Sequence, residues 1–268
     1  MASKMGLRLR SKDNLLEVSG DSTPGFKGDE ARARELTEAL RVQLIDLQTR
    51  LYAESKQRLL VVLQAMDTGG KDGLIRKVFS GVNPMGVKVA RFERPTAQEL
   101  AHDYLWRVHP HVPANGEITI FNRSHYEDVL VVRVNSLAPK SRWKKRFEHI
   151  RDFERLLADE GTRILKIFLH IDLAEQARRL QSRLDEPNKN WKFDVHDLEQ
   201  RKHWNEYMKA FKEAILETDR KHAPWYVIPA NNKWYRDYAA MSLLVTTLQD
   251  MNPKYPKPDF DPATVVID

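Results

Sequence analysis

Five short apolar runs alternate with longer amphipathic stretches along this chain. The runs span residues 59–63, 87–92, 117–121, 163–171 and 225–228. A short apolar run with β-branched residues is typical of a strand buried on both faces of a parallel sheet, and the stretches between the runs are typical of helices. The alternation predicts an α/β fold with a doubly wound parallel sheet, whose ligand crevice lies beyond the carboxyl ends of the strands.

Apolar residues three or four positions apart predict the main helices. A first helix is expected from residue 30 to about residue 56, and a second follows the loop at 65–72. Their apolar residues are Leu36, Leu40, Leu44, Leu47 and Leu51 in the first, and Leu74, Ile75, Val78 and Phe79 in the second. A third helix is predicted to begin near Thr96, where Glu99 completes a capping box, and to run to Val108.

The chain divides by composition into an arm, a domain and a tail. Residues 1–28 have little periodicity and predict an extended arm rather than a packed element. Residues 29–251 are expected to form a single domain with one core. Within that domain, 173–222 is helical and dense in charge, with too little apolar pattern for a second core, and we interpret it as an inserted lid. Four prolines in 252–268 predict a tail without regular structure.

Composition narrows the class of protein. Hydrophobic residues make up 41% of the chain and charged residues 31%, as in ordinary globular proteins, and no apolar run approaches the roughly 20 residues that span a bilayer. No apolar core with a cleavage site follows the basic N-terminus, so we expect a cytoplasmic protein. The absence of cysteine excludes disulfides, thiolate nucleophiles and zinc–cysteine sites.

The segment AMDTGGKD at residues 65–72 lies between a predicted strand and a predicted helix. A phosphate loop consists of Gly, four residues, Gly-Lys and then Ser or Thr, because successive backbone N–H groups wrap the phosphate and the lysine reaches it. Gly70 and Lys71 match, whereas alanine replaces the first glycine and aspartate replaces the hydroxyl residue. Because a predicted strand precedes the segment and a predicted helix follows it, the N-terminus of the helix and Lys71 would face the same anion. We therefore interpret 65–72 as a Walker A-like phosphate loop.

Two carboxylates in this loop predict a divalent metal. A carboxylate inside an anion-binding loop repels the ligand unless a cation lies between them. Asp67 and Asp72 offer the hard oxygen ligands that Mg²⁺ accepts while it keeps several waters and bridges phosphates. Alternatives stay open, because Asp67 can stabilise a turn through its side chain and Asp72 can interact favourably with the helix dipole.

Polar residues follow the third predicted strand at the same edge of the sheet. Arg123 is placed to clamp a transferring phosphoryl group, whose loose transition state spreads charge over its oxygens. Asn122 and Glu127 are candidates to face the acceptor. The alternative is a polar strand-to-helix loop with a surface arginine.

Cations are in excess, with a net charge of +6, which favours anionic partners without choosing among nucleic acid, nucleotides and polyphosphate. One basic run surrounds Trp143 and Phe147 and consists of Lys140, Arg142, Lys144, Lys145, Arg146 and Arg151. Such interleaving is typical of a single-stranded nucleic-acid groove or of a solvated helix face. On the predicted lid, arginines 178, 179 and 183 lie close to one helical face and can reach over a polyanion; the alternative is that Glu175 pairs with Arg179 at helical spacing. The spacing of His170, Asp172, His196 and His203 does not predict a metal site.

Five segments in this order resemble the polyphosphate kinase 2 family. They are AMDTGGKDG at 65–73, SGVNPMGVKVARFERPT at 80–96, HDYLWR at 102–107, FNRSHYEDVL at 121–130 and LDEPNKNWKF at 184–193. The resemblance extends from about residue 27 to about residue 256. Asn122 before Arg123, where other branches carry aspartate, is similar to the class III branch.

The resemblance implies a P-loop kinase fold similar to that of thymidylate kinase, with a helical lid. It implies that inorganic polyphosphate donates its terminal phosphoryl group to AMP or ADP, giving ADP or ATP, with GMP and GDP as further acceptors to be tested. It also implies a requirement for Mg²⁺ or Mn²⁺ and a homo-oligomer, expected to be a tetramer. Neither nucleic acid nor a membrane is expected as a partner.

The same resemblance implies residue roles. Asp67 would organise metal and acceptor phosphates, whereas Lys71 and Arg123 would stabilise the phosphoryl group in transfer. Metal ligands are expected to be Asp67 and Asp72. The other expected substrate-binding residues line the polyphosphate path (Lys27, Arg76, Arg179, Arg183), form the loop (Gly69, Gly70) or admit the acceptor (Asn122, Glu127).

Two other functions remain open from the residues alone. A nucleotide kinase that uses ATP as donor shares the loop and the lid but does not need so long a cationic path. A nucleic-acid-binding protein would use the basic run and the net charge, and its binding would depend steeply on salt.

Overall fold

A five-stranded parallel sheet forms the centre of the fold in the computed structural model, which describes residues 7–9 and 11–267. Its strands are β1 (Arg58–Ala65), β2 (Val87–Arg91), β3 (Ile118–Asn122), β4 (Thr162–His170) and β5 (Trp225–Pro229). They are ordered β2-β3-β1-β4-β5, and every pairing is parallel. The predicted doubly wound sheet is therefore confirmed.

β1, β3, β4 and β5 are largely buried, as their apolar runs predict, whereas β2, at an edge of the sheet, exposes Lys88, Val89 and Arg91. Residues 59–63 of β1 are each at most 1% exposed. β1 lies in the middle of the sheet, and the loop that follows it opens at the carboxyl edge beside the end of β3, because Leu63 is the register partner of Asn122. Parallel strands end at the same edge, which brings these two segments together.

Helices cover the sheet. They are α1 (Glu30–Glu54), α2 (Lys71–Val78), α3 (Ala97–Leu100), α4 (Val131–Val134), α5 (Lys140–Asp159), α6 (Leu173–Asp185), α7 (Val195–Lys202), α8 (Trp204–Thr218) and α9 (Lys233–Met251). α1 begins where the Asp29 side chain accepts a hydrogen bond from the Arg32 amide, and it ends at Ser55 in the left-handed conformation. Leu44 and Leu51 of the predicted stripe are fully buried, and α1 packs against α9.

The predicted helix over 96–108 is wrong beyond its first turn. Thr96 and Glu99 form the expected capping box, but α3 ends at Leu100. The side chain of Asp103 accepts hydrogen bonds from the backbone amides of Leu105 and Trp106, an Asx-type arrangement that competes with helix formation. The chain then continues through turns to a short 3₁₀ helix at His109–His111.

The predicted lid over 173–222 is helical, but its last helix belongs to the core. In α8 the apolar side chains of Trp204, Met208, Phe211 and Ile215 are at most 7% exposed. These residues recur at helical spacing, and the intervening lysines and glutamates conceal that stripe in the sequence. The part that projects from the core consists of α6, a 3₁₀ helix at Pro187–Lys192 and α7. Trp191, in the 3₁₀ helix, is 77% exposed.

The N-terminal arm is packed, contrary to the expectation from its weak periodicity. Leu7 and Leu15 are at most 2% exposed, and the Leu7 carbonyl accepts a hydrogen bond from the Val227 amide of β5. The Gly20 carbonyl accepts one from the Asn231 amide. The arm is therefore anchored beside β5; its residues 1–6 and 10 lie outside the described part.

The C-terminal tail runs over 252–267 without α-helix or strand, with one 3₁₀ turn at Pro262–Thr264, as its prolines predict. Residue 268 lies outside the described part. Among the helices of residues 7–9 and 11–267, none combines the length and the apolar character needed to cross a membrane.

Candidate active site

The phosphate loop joins β1 to α2 through two glycines that tolerate no side chain. A Cβ on Gly69 would lie 2.5 Å from the Ala65 Cβ and 2.8 Å from the Met66 carbonyl oxygen. Gly70 has a φ of +95°, and a Cβ there would lie 2.4 Å from the Arg236 Nη1. Tight backbone packing and a left-handed conformation therefore require glycine at both positions.

Side chains from distant helices hold the loop by its carbonyl groups. Gln176 donates to the Asp67 carbonyl at 3.2 Å, Arg179 donates to the Thr68 carbonyl at 3.0 Å, and Arg236 donates to the Gly70 carbonyl at 3.3 Å. These contacts fix the loop from behind, and the first N–H groups of α2 have no acceptor within the helix, which makes them suitable for an anion.

Lys71 lies at the base of the loop in a buried position. Its Nζ donates to the Ala65 carbonyl oxygen at 3.1 Å, and the side chain belongs to the first turn of α2. Burial, with the positive charge of Arg123 nearby, lowers the pKa of Lys71 to about 8. Its cationic form is destabilised in the ligand-free protein, and a bound anion would remove that penalty.

Arg123 pairs with Asp67 across the crevice. The Nη2 atom of Arg123 lies 2.8 Å from the Asp67 Oδ1, and the two side chains are 40% and 22% exposed. Arg123 has a φ of 63°, in the left-handed region, and its amide donates to the Leu63 carbonyl of β1. A non-glycine residue in this conformation needs support from its surroundings and is typical of functional sites.

A second contact joins the phosphate loop to the end of β3. The Asn122 Nδ2 donates to the Asp72 Oδ1 at 2.7 Å. Asp67 and Asp72, the two carboxylates of the loop, thus each contact a side chain from residues 122–127, which we call the acceptor segment. The strand register places this segment beside the loop, as the topology predicts.

Glu127 and Asp197 add two carboxyl groups to the crevice. Burial raises the pKa of Glu127, while the charges of Arg123 and Lys71 oppose that shift. Burial and the neighbouring charge of Asp67 raise the pKa of Asp197, on α7, to about 6. Nothing in the sequence distinguishes Asp197, which is one acid among many in the charged stretch between β4 and β5.

The remaining predicted site residues lie around this cluster. Arg179 is 8% exposed and donates to Glu175 and to backbone carbonyls, including that of Ala230. These contacts favour a role in holding the loop. Arg183 donates to Asp197 at 2.9 Å within the projecting helices. Lys27 and Arg76 are exposed, on the arm and on α2 respectively, outside the contacts that join the cluster.

Sequence reasoning missed two residues that anchor the loop. Gln176 is three positions before Arg179 on α6, so helical spacing offered a signal for it. Arg236 lies on α9, far along the chain from the loop that it contacts. No local pattern marks that contact.

The basic run of α5 is not a stacking surface. Trp143 and Phe147 are 7% and 4% exposed and face the core. Arg146 pairs with Asp128 at 2.7 Å. Nucleic-acid bases therefore cannot stack on these aromatic rings, which removes the main support for a nucleic-acid groove.

The carboxylates of the loop fit a divalent cation that is shared with substrate. In the described part of the chain, no group of three or more His, Asp or Glu side chains is arranged to hold a metal. Two hard oxygen donors, Asp67 and Asp72, suit Mg²⁺, which binds through one or two carboxylates plus phosphates and waters. The donor set therefore fits a cation that binds together with phosphates.

The parallel sheet, the glycine loop at the start of α2, the buried lysine and the facing arginine define a P-loop kinase-like phosphotransferase. The chain belongs to the polyphosphate kinase 2 family. The model of that family, described as Polyphosphate kinase 2 (PPK2), matches residues 27–256.

Relatives of this chain include named phosphotransferases. One from Meiothermus ruber, an AMP/ADP-polyphosphate phosphotransferase, is 57% identical over 254 residues and covers 95% of each chain. An ADP-polyphosphate phosphotransferase from Rhodopseudomonas palustris is 43% identical over 235 residues, covering 82% of this chain and 81% of the relative. The crystal structure of Polyphosphate Kinase 2 from Arthrobacter aurescens TC1 superimposes with a TM-score of 0.93 at 42% identity, covering 96% and 93% of the two chains.

Proposed function

We propose that this chain transfers the terminal phosphoryl group of inorganic polyphosphate to AMP and to ADP, forming ADP and ATP. An oxygen of the acceptor phosphate forms a bond to the terminal phosphorus, the bond to the bridging oxygen breaks, and polyphosphate shortened by one unit leaves. The observation that carries the proposal is the placement of Lys71 and the Asp67–Arg123 pair around the glycine loop. The name of the Meiothermus ruber relative supports both acceptors.

The residues perform this transfer by positioning and charge. The attacking phosphate oxygen is already anionic, so the site needs no strong base and must instead bring two polyanions together. Lys71 and the amides at the start of α2 bind the transferring group, and Arg123 neutralises charge on its oxygens. Asn122 and Glu127 lie on the acceptor side, where an amide and a buried carboxyl can contact the acceptor nucleotide.

A divalent cation completes the charge balance. Asp67 and Asp72 would hold Mg²⁺, or Mn²⁺ in its place. Such an ion would supply positive charge that offsets the negative charge of the phosphates.

The donor is proposed to extend from the loop along cationic side chains. Lys27, Arg76 and Arg183 are the candidates for this path, while Arg179 acts from beneath the loop. Cations on separate elements suit a flexible polyanion whose phosphates are equivalent along the chain.

The test is an assay of the purified, nucleotide-free protein with AMP, Mg²⁺ and polyphosphate. We expect ADP and then ATP to form, and we expect none when polyphosphate is omitted. Formation of products only when ATP is added would instead identify an ATP-dependent nucleotide kinase. Parallel reactions with ADP, GMP and GDP define the acceptor range.

Two variants connect the activity to the site. Asp67→Asn and Lys71→Ala are each expected to reduce turnover at least about 1,000-fold, because catalysis here rests on positioned charge. Lys77→Ala, which removes an exposed lysine from the same helix, serves as the control and is expected to keep near-wild-type turnover. Turnover near the wild-type level in Asp67→Asn or Lys71→Ala would refute the site assignment.

A homotetramer in the cytoplasm is proposed from the family resemblance. Its test is the mass of the native protein in solution. A monomeric mass with full activity would show that assembly is not required.

A further inference from the structure

A fully buried ion pair lies next to the acceptor segment, away from the proposed substrates. Lys166 of β4 and Glu154 of α5 are both 0% exposed, and the Lys166 Nζ lies 2.5 Å from the Glu154 Oε2. Lys166 also donates to the Thr218 carbonyl oxygen at 2.9 Å. Removing two charges from water is costly, and apolar side chains of similar size fill such a space at least as stably in many proteins.

Tyr126, from the acceptor segment, is bound to this pair. Its hydroxyl lies 2.7 Å from the Glu154 Oε1 and 2.8 Å from the Thr218 Oγ1, and it accepts a hydrogen bond from the Lys166 Nζ at 2.9 Å. Burial raises the pKa of Tyr126, so the phenol stays neutral and keeps its proton for these contacts. We call Tyr126, Glu154, Lys166 and Thr218 the buried network.

The neighbours of Tyr126 are held as well. The His125 Nε2 lies 3.4 Å from the Glu154 Oε1. The Ser124 Oγ accepts hydrogen bonds from the Gln64 side chain at 3.1 Å and from the Tyr126 amide at 3.2 Å. Every residue between Arg123 and Glu127 is therefore fixed from the protein interior.

We propose that the buried network is a positioning device, which holds Arg123 and Glu127 at the geometry that phosphoryl transfer requires. This proposal rests on the proposed function, in which those two residues face the phosphoryl group and the acceptor. Arg123 stays in the left-handed conformation only if its surroundings impose it. The network holds this conformation through Tyr126, whose hydroxyl contacts Lys166 of β4, Glu154 of α5 and Thr218 of α8.

Tyr126→Phe tests the proposal with the smallest change, because the ring keeps its contact with Trp225 at 4.8 Å between centroids. We expect kcat to fall about 10- to 100-fold while KM for polyphosphate stays within about twofold, since positioning acts mainly in the transition state. Amide hydrogen exchange over 123–127, followed by mass spectrometry of the ligand-free protein, is expected to be at least about tenfold faster than in the wild type.

Thr162→Val is the matched control. It removes another buried hydroxyl, which accepts from Arg58 at the opposite end of β4. We expect its kcat, and its exchange over 123–127, to equal those of the wild type. Either an unchanged kcat or an unchanged exchange rate in Tyr126→Phe overturns the proposal.

The double variant Glu154→Leu/Lys166→Met separates positioning from stability. Replacing both charges with apolar side chains is expected to leave a folded protein with a urea midpoint near that of the wild type, yet with kcat reduced as in Tyr126→Phe. Wild-type turnover in a stable double variant would show that the pair serves the fold alone. If the double variant does not fold, Tyr126→Phe decides.

Failure of the proposed function gives a different result. Wild-type protein that makes no ADP from AMP and polyphosphate refutes that function without any variant. The exchange measurement needs no substrate, so it still decides whether the network holds the acceptor segment.

Discussion

Lys71 and Arg123 both carry positive charge in the crevice, but burial disfavours the charge of Lys71, whereas Glu127 and Asp67 favour that of Arg123 and raise its pKa. Burial lowers the pKa of Lys71 to about 8, and Arg123 is held at a φ of 63° beside Asp67. The buried ammonium of Lys71 costs free energy that a bound anion would offset, and the left-handed backbone of Arg123 is a strained conformation that its surroundings must hold. The strain of single residues therefore indicates where the ligand belongs.

The pKa of Lys71 predicts how donor affinity depends on pH. Below pH 8 the amine is protonated and attracts phosphate, whereas above pH 8 the ligand-free protein loses that proton. KM for polyphosphate is therefore expected to rise about tenfold between pH 7 and pH 9, as the charged fraction falls. Steady-state kinetics across this range measure it. Lys71→Arg keeps its charge, so its residual activity should lack this rise; an equal rise in Lys71→Arg would assign the effect to another group.

Substitution of Asn122 is expected to change how the protein uses its two acceptors. In Asn122→Asp a carboxylate replaces the amide that donates to Asp72, so two negative charges face each other. We expect kcat/KM to fall about tenfold and the ratio of AMP to ADP use to change. Asn122→Ala, which removes the hydrogen bond without adding charge, is the control. If the ratio measured with the two acceptors is unchanged in Asn122→Asp, Asn122 does not influence acceptor choice.

The residues of the site were predictable only as far as local pattern and family resemblance reach. Asp67, Lys71, Asp72, Asn122 and Arg123 lie in two short segments that a parallel sheet must bring together. Their roles in the reaction remain predictions. Arg236 and Asp197 could not be predicted, because they are distant in sequence from the loop and no local motif marks them. Only the fold brings them to the site.

At the scale of the element, the phosphate loop depends on helices that flank it. α6 and α9 hold its carbonyl groups, and Arg236 occupies the space that a side chain at Gly70 would need. The shape of the loop therefore depends on α6 and α9 as well as on the residues of the loop itself. The sequence of the loop alone specifies its glycines but not these contacts.

Gly70→Ala tests this dependence. Its Cβ would lie 2.4 Å from the Arg236 Nη1, and φ is +95°. We expect a loss of about 1–3 kcal/mol in the free energy of unfolding, because the backbone is strained, and a fall in kcat/KM of at least about 100-fold, because the new Cβ displaces the Arg236 side chain that holds the loop. Urea unfolding and steady-state kinetics measure the two effects.

Gly161→Ala is the matched control for that substitution. Gly161 has a φ of +89°, but a Cβ at this position would have no neighbouring atom within 4 Å, so the variant shares the backbone strain without the collision. We expect a similar loss of stability with unchanged turnover. A comparable loss of activity in both variants would mean that destabilisation, rather than loop displacement, accounts for the result in Gly70→Ala.

Elements were predicted from the sequence where apolar periodicity is strong and missed where side chains compete with it. The strands are mostly apolar, and their predicted bounds matched the observed ones closely, although β2 contains Lys88 and Arg91 and β4 contains Lys166. α3 ends early because Asp103 binds the backbone amides that a longer helix would use. α8 was assigned to the lid because charged residues interrupt its apolar stripe, although packing of that stripe places it in the core.

At the scale of the whole molecule, the doubly wound topology and the charge act together. The sheet gathers the ends of β1 and β3 at one edge, and the chain has an excess of cations, with a net charge of +6. A positive field of this kind raises the local concentration of a polyanion. The fold class followed from the sequence because alternating strands and helices permit few arrangements.

The dependence of the kinetics on salt separates donor binding from the chemical step. Binding of a linear polyphosphate releases counterions, so its affinity should fall as salt is added. The slope of the logarithm of the binding constant against the logarithm of the salt concentration should be near −0.7 for each phosphate neutralised, as for single-stranded nucleic acids. Three neutralised phosphates predict a rise in KM for polyphosphate of about 20-fold between about 50 and about 200 mM salt. kcat at saturating polyphosphate should change less than about twofold, because the Asp67–Arg123 pair and Lys71 act at short range in a partly buried crevice. KM for AMP, which carries fewer charges, should rise much less. A KM for polyphosphate that is independent of salt would contradict a donor path made of exposed cations and would confine donor recognition to the phosphate loop.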